Sequence, residues 1–240
     1  MKVSYKEAKQ RALKERDIWV RRLLCDPITT PLAYLLVRYT KVEPITVTAI
    51  TFLLGVGAFV LFSGGLLLWG GVVYFLCFLS DSLDGKISRV LGEDDTYRGM
   101  MDFLLDGIVC LLVTVGLAIN ELSLVAPGLL LWMSIHYLDM RYTSATYRLK
   151  LQAGDTSTWM VHESSEGVWR LVHRFIKKTG TYPVPTVGEA VILLFVVGPI
   201  LWHLDGVKWM NWALLAGILC TIPETIGAGL IAYRKAKELQ

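Results

Sequence analysis

The sequence predicts an all-α membrane protein in which six transmembrane helices follow an N-terminal amphipathic helix at the membrane surface. The chain has 240 residues, of which 54% are hydrophobic, and its mean hydropathy is +0.49. This composition is too apolar for an ordinary soluble domain of this size. Six apolar runs are long enough to cross a bilayer core, which takes about 20 helical residues. The runs cover residues 45–63, 67–86, 99–119, 124–147, 187–204 and 209–233.

The N-terminal segment, residues 1–44, is predicted to lie at the membrane surface. Residues 1–22 are rich in Lys and Arg, which predicts a basic amphipathic helix on an anionic membrane. A helix that is merely solvated is the alternative, but Trp19 favours an interface. The apolar stretch 28–39 is too short to cross a bilayer and predicts a re-entrant or interfacial helix. No cleavable signal peptide is expected, because residues 1–14 are charged.

The distribution of positive charge predicts the topology. If both termini lie in the cytoplasm, Lys208 is the only one of the 24 Lys and Arg residues on the outer side. The connection over about 149–186 shows helical apolar spacing from Val168 to Ile176, which predicts a second interfacial helix. Pro183 and Pro185 follow it and end the helix. We therefore expect one membrane domain over 1–240, with its six-helix core at 45–233.

Few other residues have spacing that indicates a site. The cysteines have no paired spacing, so neither a disulfide framework nor a cysteine metal cluster is expected, and we interpret them as small core residues. They are Cys25, Cys77, Cys110 and Cys220. The four histidines also lack ligand spacing, and we assign them no role.

Four aspartates lie where the second and third predicted spans meet at their cytoplasmic ends. Asp81 and Asp84 are separated by three positions and Asp102 and Asp106 by four, so each pair lies on one helix face. Polar helix ends are one interpretation of these residues. However, each ionised group at membrane depth costs about 2.5 to 3.5 kcal/mol. A divalent cation offsets that cost, and clustered carboxylates suit Mg²⁺ or Mn²⁺.

The aspartates belong to a longer pattern. Asp81, Asp84, Gly85 and Arg89 are followed by Gly99, Asp102 and Asp106. This pattern resembles the signature of the CDP-alcohol phosphotransferase (CDP-alcohol phosphatidyltransferase) family of integral membrane enzymes. Ser88 replaces an alanine of that signature, and Arg98 stands at the position of its second glycine, with Gly99 one position later. Upstream, Pro44, Val47 and Thr48 match a stretch that is frequent near the nucleotide in the family.

The resemblance implies a reaction and roles for these residues. An acceptor hydroxyl attacks the phosphate next to the alcohol of a CDP-alcohol and releases CMP. Asp81, Asp84 and Asp102 hold two divalent cations, while Asp106 is the general base and also contacts a metal ion. The nucleotide and its diphosphate contact Gly85, Arg89, Thr48, Pro44 and Gly99. The resemblance further implies a homodimer. We expect the protein in a prokaryotic cell membrane, with no nucleic acid as a partner.

The acceptor is left open by the sequence. CDP-diacylglycerol with a small polar alcohol is the preferred pairing, and CDP-choline or CDP-ethanolamine with diacylglycerol is the alternative. Tyr137, Arg141, Ser144 and Arg148 recur on one face of the fourth span. Arg141 and Arg148 therefore predict a pocket for a phosphorylated acceptor. Alternatively, Arg141 pairs with the aspartate cluster or with Glu189.

Two functions other than phosphotransfer are also compatible with the sequence. Carboxylates inside a membrane can form the pathway of an ion transporter, or they can hold a structural metal ion in a noncatalytic scaffold. A transporter needs polar groups that continue toward the outer side. The outer half of the third span, 108–118, is apolar except for Thr114, and Glu224 beside Pro223 in the last span is the main exception.

Overall fold

The computed structural model describes residues 4–14, 17–93, 96–152, 178–182 and 185–238, and over these ranges the chain is helical with no strands. Two π-helical turns occur, at Arg21–Cys25 before α2 and at Leu193–Val197 within α7. The helices are α1 (Tyr5–Ala12), α2 (Asp26–Tyr39), α3 (Pro44–Ser63), α4 (Leu67–Leu91), α5 (Thr96–Ala118), α6 (Val125–Gln152), α7 (Val187–Asp205) and α8 (Lys208–Glu238).

Five of these helices, α3, α4, α5, α7 and α8, are long and apolar enough to cross a membrane. They coincide with five of the six predicted spans, because a continuous apolar run fixes helix length locally. The sixth predicted span lies in α6, which has 28 residues. His136, Asp139 and Arg141 interrupt its apolar sequence, so α6 does not reach the same apolar character. Its crossing of the membrane stays a prediction.

The predicted N-terminal amphipathic helix is shorter than expected. Helix α1 ends at Ala12, and Leu13 has an extended backbone. Ala8 and Ala12 are buried in a cluster with Val90 of α4. Trp19, which was expected on the amphipathic helix, lies beyond this break, and its indole Nε1 donates to the carbonyl of Tyr182 at 2.6 Å. Contacts with distant segments thus hold both Ala12 and Trp19, and local periodicity does not contain that information. The interfacial helix predicted around 168–176 lies outside the described residues.

Small residues bring the helices of the core close together. A Cβ on Gly55 of α3 would lie 2.6 Å from Val109 of α5, and one on Gly116 of α5 would lie 2.9 Å from the Phe59 carbonyl. Such close approach is typical of helix packing inside membranes. The described cysteines are all free, and Cys25, Cys77 and Cys110 are buried, which agrees with their interpretation as core residues.

A buried ion pair joins α2 to the end of α4. The Lys86 ammonium lies 2.8 Å from Asp26 Oδ1, and its side chain is 2% exposed. The same ammonium donates to Ser82 Oγ at 2.7 Å. Since Lys86 stands one turn or less from both Ser82 and Asp84, this pair fixes the part of α4 that carries the acidic residues.

Candidate active site

Helices α4 and α5 bring all four aspartates of the sequence pattern to one cavity. Asp81 and Asp84 come from α4, Asp102 and Asp106 from α5, and α3 closes the third side. We call this space the carboxylate cavity. Its lining residues are Thr48, Thr51, Phe52, Asp81, Asp84, Asp102, Leu105, Asp106 and Val109.

Asp84 is the more deeply buried of the two aspartates on α4. Its side chain is 3% exposed, and Oδ2 accepts a hydrogen bond from Thr48 Oγ1 at 2.8 Å. Thr48 lies one turn beyond Pro44, where a proline at the first helical position costs no backbone hydrogen bond. The start of α3 thus orients Asp84. Hydrogen bonds to an ionised group contribute about 1.5 to 3 kcal/mol.

Asp81 forms an ion pair with Arg21, a residue to which the sequence pattern assigns no role. The guanidinium Nη2 donates to Asp81 Oδ2, and the group lies over the Phe78 ring, 5.6 Å from its centroid. Burial lowers the pKa of Arg21, but the carboxylates of Asp81 and Asp17 outweigh it and raise the pKa above its ordinary value. No local signal separates Arg21 from the other basic residues near it.

Gly85 and Arg89 lie on the same side of α4. A Cβ on Gly85 would stand 3.4 Å from Arg89 Nη1, so the glycine leaves room for the guanidinium along the helix. Arg89 Nε donates to the carbonyl of Ala12 at 2.9 Å. The end of α1 therefore holds Arg89 at the end of α4, and neither Gly85 nor Arg89 is among the residues that line the carboxylate cavity. Gly99 lies in the first turn of α5, and its surroundings and the Arg98 side chain are outside what the structure describes.

A hydroxyl pair beside the aspartates was not predicted from the sequence. Thr51 Oγ1 donates to Ser80 Oγ at 2.7 Å, and it also lies 3.0 Å from the Val47 carbonyl. Ser80 directly precedes Asp81, and Thr51 is one turn beyond Thr48 on α3. The spacing of Thr48 and Thr51 on one helix face is the signal that could have identified the pair.

The chemistry of the cavity fits a hard divalent cation. All of its charged donors are carboxylates, which are the ligands that Mg²⁺ and Mn²⁺ prefer. Among the described residues, no three His, Cys, Asp or Glu side chains already stand in positions to hold one ion. Contacts within the protein explain this, because Asp81 is turned to Arg21 and Asp84 to Thr48. The Asp81 oxygen that Arg21 holds becomes available to a cation only if Arg21 changes partner.

Arg141 and Arg148 are not part of the cavity lining. Both side chains are exposed on α6, and within the described ranges no ion pair to Arg141 is seen. The pairing with Glu189 that the sequence allowed is not formed. Instead, Glu189 Oε2 accepts from the backbone and hydroxyl of Thr186 at 2.8 and 2.7 Å. Its other oxygen accepts from the Val20 backbone at 3.3 Å.

The fold and the site define a class of protein: a helical membrane protein with an acidic, oxygen-donor site at the junction of two apolar helices. The chain belongs to the CDP-alcohol phosphatidyltransferase family, whose model matches residues 42–223. This confirms the resemblance seen in the sequence pattern. Comparison with curated proteins finds no significant match.

Two similar solved structures are of one enzyme, the phosphatidylinositol phosphate synthase of Mycobacterium tuberculosis. The structure with CDP-DAG bound has a TM-score of 0.60 and 18% sequence identity, over 86% of this chain and 94% of that one. The structure in complex with manganese and citrate has a TM-score of 0.53 and 18% identity, over 86% and 89% of the two chains. At this identity the likeness establishes the fold.

Proposed function

We propose that this protein transfers a substituted phosphate group from a CDP-alcohol to the hydroxyl of a second alcohol and releases CMP. The observation that carries the proposal is the convergence of Asp81, Asp84, Asp102 and Asp106 on one cavity in a chain of this family. Our preferred donor is CDP-diacylglycerol, which gives a phospholipid as product. The solved neighbour with CDP-DAG bound supports that choice.

Three carboxylates are assigned to metal binding. Asp81, Asp84 and Asp102 would hold divalent cations, two in this proposal, and Asp106 would contact one of them. Such cations neutralise a diphosphate and stabilise the attacking and leaving oxygens of an in-line displacement. The protein contributes the orientation of the ligands, since Thr48 holds Asp84 in place. The manganese in the second neighbour structure supports a divalent cation.

Asp106 is assigned the role of general base. It lines the cavity on α5, one turn beyond Asp102, and its Oδ atoms accept the proton of the acceptor hydroxyl as that oxygen attacks. The new O–P bond forms while the bond between this phosphorus and the bridging oxygen of the diphosphate breaks. CMP leaves with that oxygen. Loss of a general base costs about 10² to 10⁴ in rate.

The donor site is assigned to residues around the end of α4 and the starts of α3 and α5. Arg89 forms charge-assisted hydrogen bonds to a phosphate, and Gly85 allows close approach of the nucleotide because it has no side chain. Pro44, Thr48 and Gly99 complete this site. The bond from Arg89 to the Ala12 carbonyl supports the assignment, because it fixes the guanidinium at the end of α4, about two turns beyond Asp81.

The acceptor is proposed to carry a phosphate of its own. Arg141 and Arg148 are exposed and available on α6, and a guanidinium binds a phosphate with two parallel hydrogen bonds. The neighbour's name, phosphatidylinositol phosphate synthase, also supports a phosphorylated acceptor. We further propose a homodimer, with both termini and the active site on the cytoplasmic side of a prokaryotic membrane.

Helix α5 does not favour the transporter alternative. Beyond Asp106, the buried residues of α5 are Val109, Cys110, Val113, Thr114, Gly116 and Leu117. The Thr114 hydroxyl donates to the carbonyl of Cys110 at 2.7 Å, so it is satisfied within its own helix. A pathway for ions needs polar groups that continue across the membrane, and this face of α5 offers none.

Release of CMP tests the proposal. Purified protein is incubated with CDP-diacylglycerol, Mg²⁺ or Mn²⁺, and a panel of free and phosphorylated alcohols, with CDP-choline and diacylglycerol as a separate arm. We expect CMP only when an acceptor and a divalent cation are both present, and none after addition of EDTA. If no combination of donor and acceptor gives CMP, the proposed phosphotransferase activity is wrong.

Asp106→Asn tests the role of the base. We expect a loss of at least about 10²-fold in turnover, with binding of CDP-diacylglycerol largely kept, because an amide preserves the shape but cannot take the proton. Asp205→Asn is the matched control, since Asp205 is exposed at the opposite end of the helix bundle. If Asp106→Asn keeps more than about a tenth of the activity, the base lies elsewhere.

A further inference from the structure

The residue Arg21 contacts the carboxylate cavity from outside the sequence pattern. It lies 60 positions before Asp81 and reaches it from the turn that precedes α2. Arg21 Nε is buried and has no hydrogen-bond partner among the described residues. A buried guanidinium donor without a partner is costly in a finished site. Arg21 therefore has binding capacity that the protein's own groups leave unused.

The backbone that carries Arg21 is anchored on three sides. Asp17 N donates to the Gly180 carbonyl at 3.0 Å, and the Trp19 indole donates to the Tyr182 carbonyl at 2.6 Å. Val20 N donates to Glu189 Oε1 at the start of α7 at 3.3 Å. The segment is thus a fixed part of the site wall, and Arg21 can change partner by rotating its side chain alone.

Arg21 is paired with Asp81, which the proposed function assigns to metal binding. A divalent cation and a guanidinium would compete for the Asp81 carboxylate, and their positive charges repel each other. A guanidinium displaced from Asp81 stays beside the cavity, where its planar array of donors matches a phosphate. The substrate brings such phosphates to the same place.

We infer that Arg21 is a donor-binding residue that exchanges the Asp81 carboxylate for a phosphate of the CDP-alcohol when a divalent cation takes Asp81. The inference rests on the proposed function and adds to it a phosphate ligand from the N-terminal segment. It also gives Arg21 two effects of opposite sign. Arg21 weakens cation binding in the free protein and strengthens binding of the nucleotide donor.

Equilibrium binding in the absence of acceptor separates these effects. Mn²⁺ binding to the detergent-purified protein is followed by the electron paramagnetic resonance signal of the free ion. Binding of CDP-diacylglycerol at saturating Mn²⁺ is measured by thermophoresis. For Arg21→Ala we expect Mn²⁺ affinity to rise about threefold or more and CDP-diacylglycerol affinity to fall about tenfold, near 1.4 kcal/mol.

Two further variants show whether the charge or the planar shape of the Arg21 guanidinium is responsible for these changes in affinity. Arg21→Lys keeps the charge but not the planar fork, so we expect near wild-type Mn²⁺ affinity with only partly restored donor affinity. Arg22→Ala is the neighbouring control, because Arg22 Nη1 donates to the Lys14 carbonyl at 3.1 Å and lies off the cavity. Both affinities should stay unchanged in that variant. If Arg21→Ala is poorly folded by gel filtration, the Lys variant decides.

A structural role for Arg21 gives a different result. If the ion pair only attaches the N-terminal segment to α4, Arg21→Ala weakens Mn²⁺ and donor binding together, and Arg21→Lys restores both. That outcome overturns the inference and leaves the proposed function intact. A wild-type protein that neither binds Mn²⁺ nor releases CMP instead overturns the proposed function itself.

Discussion

The buried pair of Lys86 and Asp26 offers a sharp test of how α2 supports the site. Replacing Lys86 by Met keeps much of the side-chain length but leaves the Asp26 carboxylate without its cation. The Lys86 and Asp26 side chains are only 2% and 11% exposed, so water cannot easily take over the role of the ammonium. Breaking a buried pair from one side costs about 3 to 5 kcal/mol.

That cost converts to a large change in melting temperature. For a chain of this size, 1 kcal/mol shifts Tm by about 2 to 4 °C, so Lys86→Met should lower the apparent Tm by about 6 to 20 °C. The measurement is thermal unfolding in detergent, followed by tryptophan fluorescence at one fixed scan rate. The double variant Asp26→Leu with Lys86→Met should recover most of the loss, because no unpaired charge remains.

An exposed pair at the other end of the bundle is the control. Lys208 lies 2.9 Å from Asp205, but their side chains are 62% and 61% exposed. Such a surface pair contributes about 0 to 1 kcal/mol, so Lys208→Met should hardly move Tm. A drop below about 2 °C for Lys86→Met, or a double variant no more stable than the single one, would refute the reasoning.

The remaining predictions concern the acceptor and the packing of α3 on α4. Arg141→Ala should raise the Michaelis constant of the acceptor at least about tenfold, near 1.4 kcal/mol, and spare that of the donor. A preference for an uncharged acceptor, or a defect in the donor alone, would contradict the pocket on α6. Gly70→Ala should destabilise the protein by about 1 to 3 kcal/mol, since its Cβ would overlap the Phe62 ring. Gly57→Ala, whose Cβ would lie an ordinary 3.7 Å from Val73, should melt about 1 to 4 °C above wild type, because alanine is favoured over glycine inside a helix by about 0.5 to 1 kcal/mol. Equal losses in the two glycine variants would rule out the packing explanation.

The sequence by itself determined the class of the fold and the core of the acidic site. Apolar length is a local property, so the ends of α3 and α7 fall within a residue of the predicted spans. The spacing of the aspartates is equally local, because positions three or four apart share one face of any helix. Helix geometry alone therefore predicted that α4 and α5 could present their carboxylates to one place.

Only the tertiary structure decided which other residues complete the site. The bond from Thr48 to Asp84, the pair of Arg21 with Asp81 and that of Lys86 with Asp26 join positions 36 to 60 residues apart. The apolar periodicity of the sequence relates residues along one helix, and it gives no information about contacts between helices. The early end of α1 has the same origin, since burial of Ala12 beside α4 replaces the expected amphipathic continuation. Helix packing depends on the whole chain at once, and it placed the Arg21 guanidinium and the Lys86 ammonium beside their carboxylates.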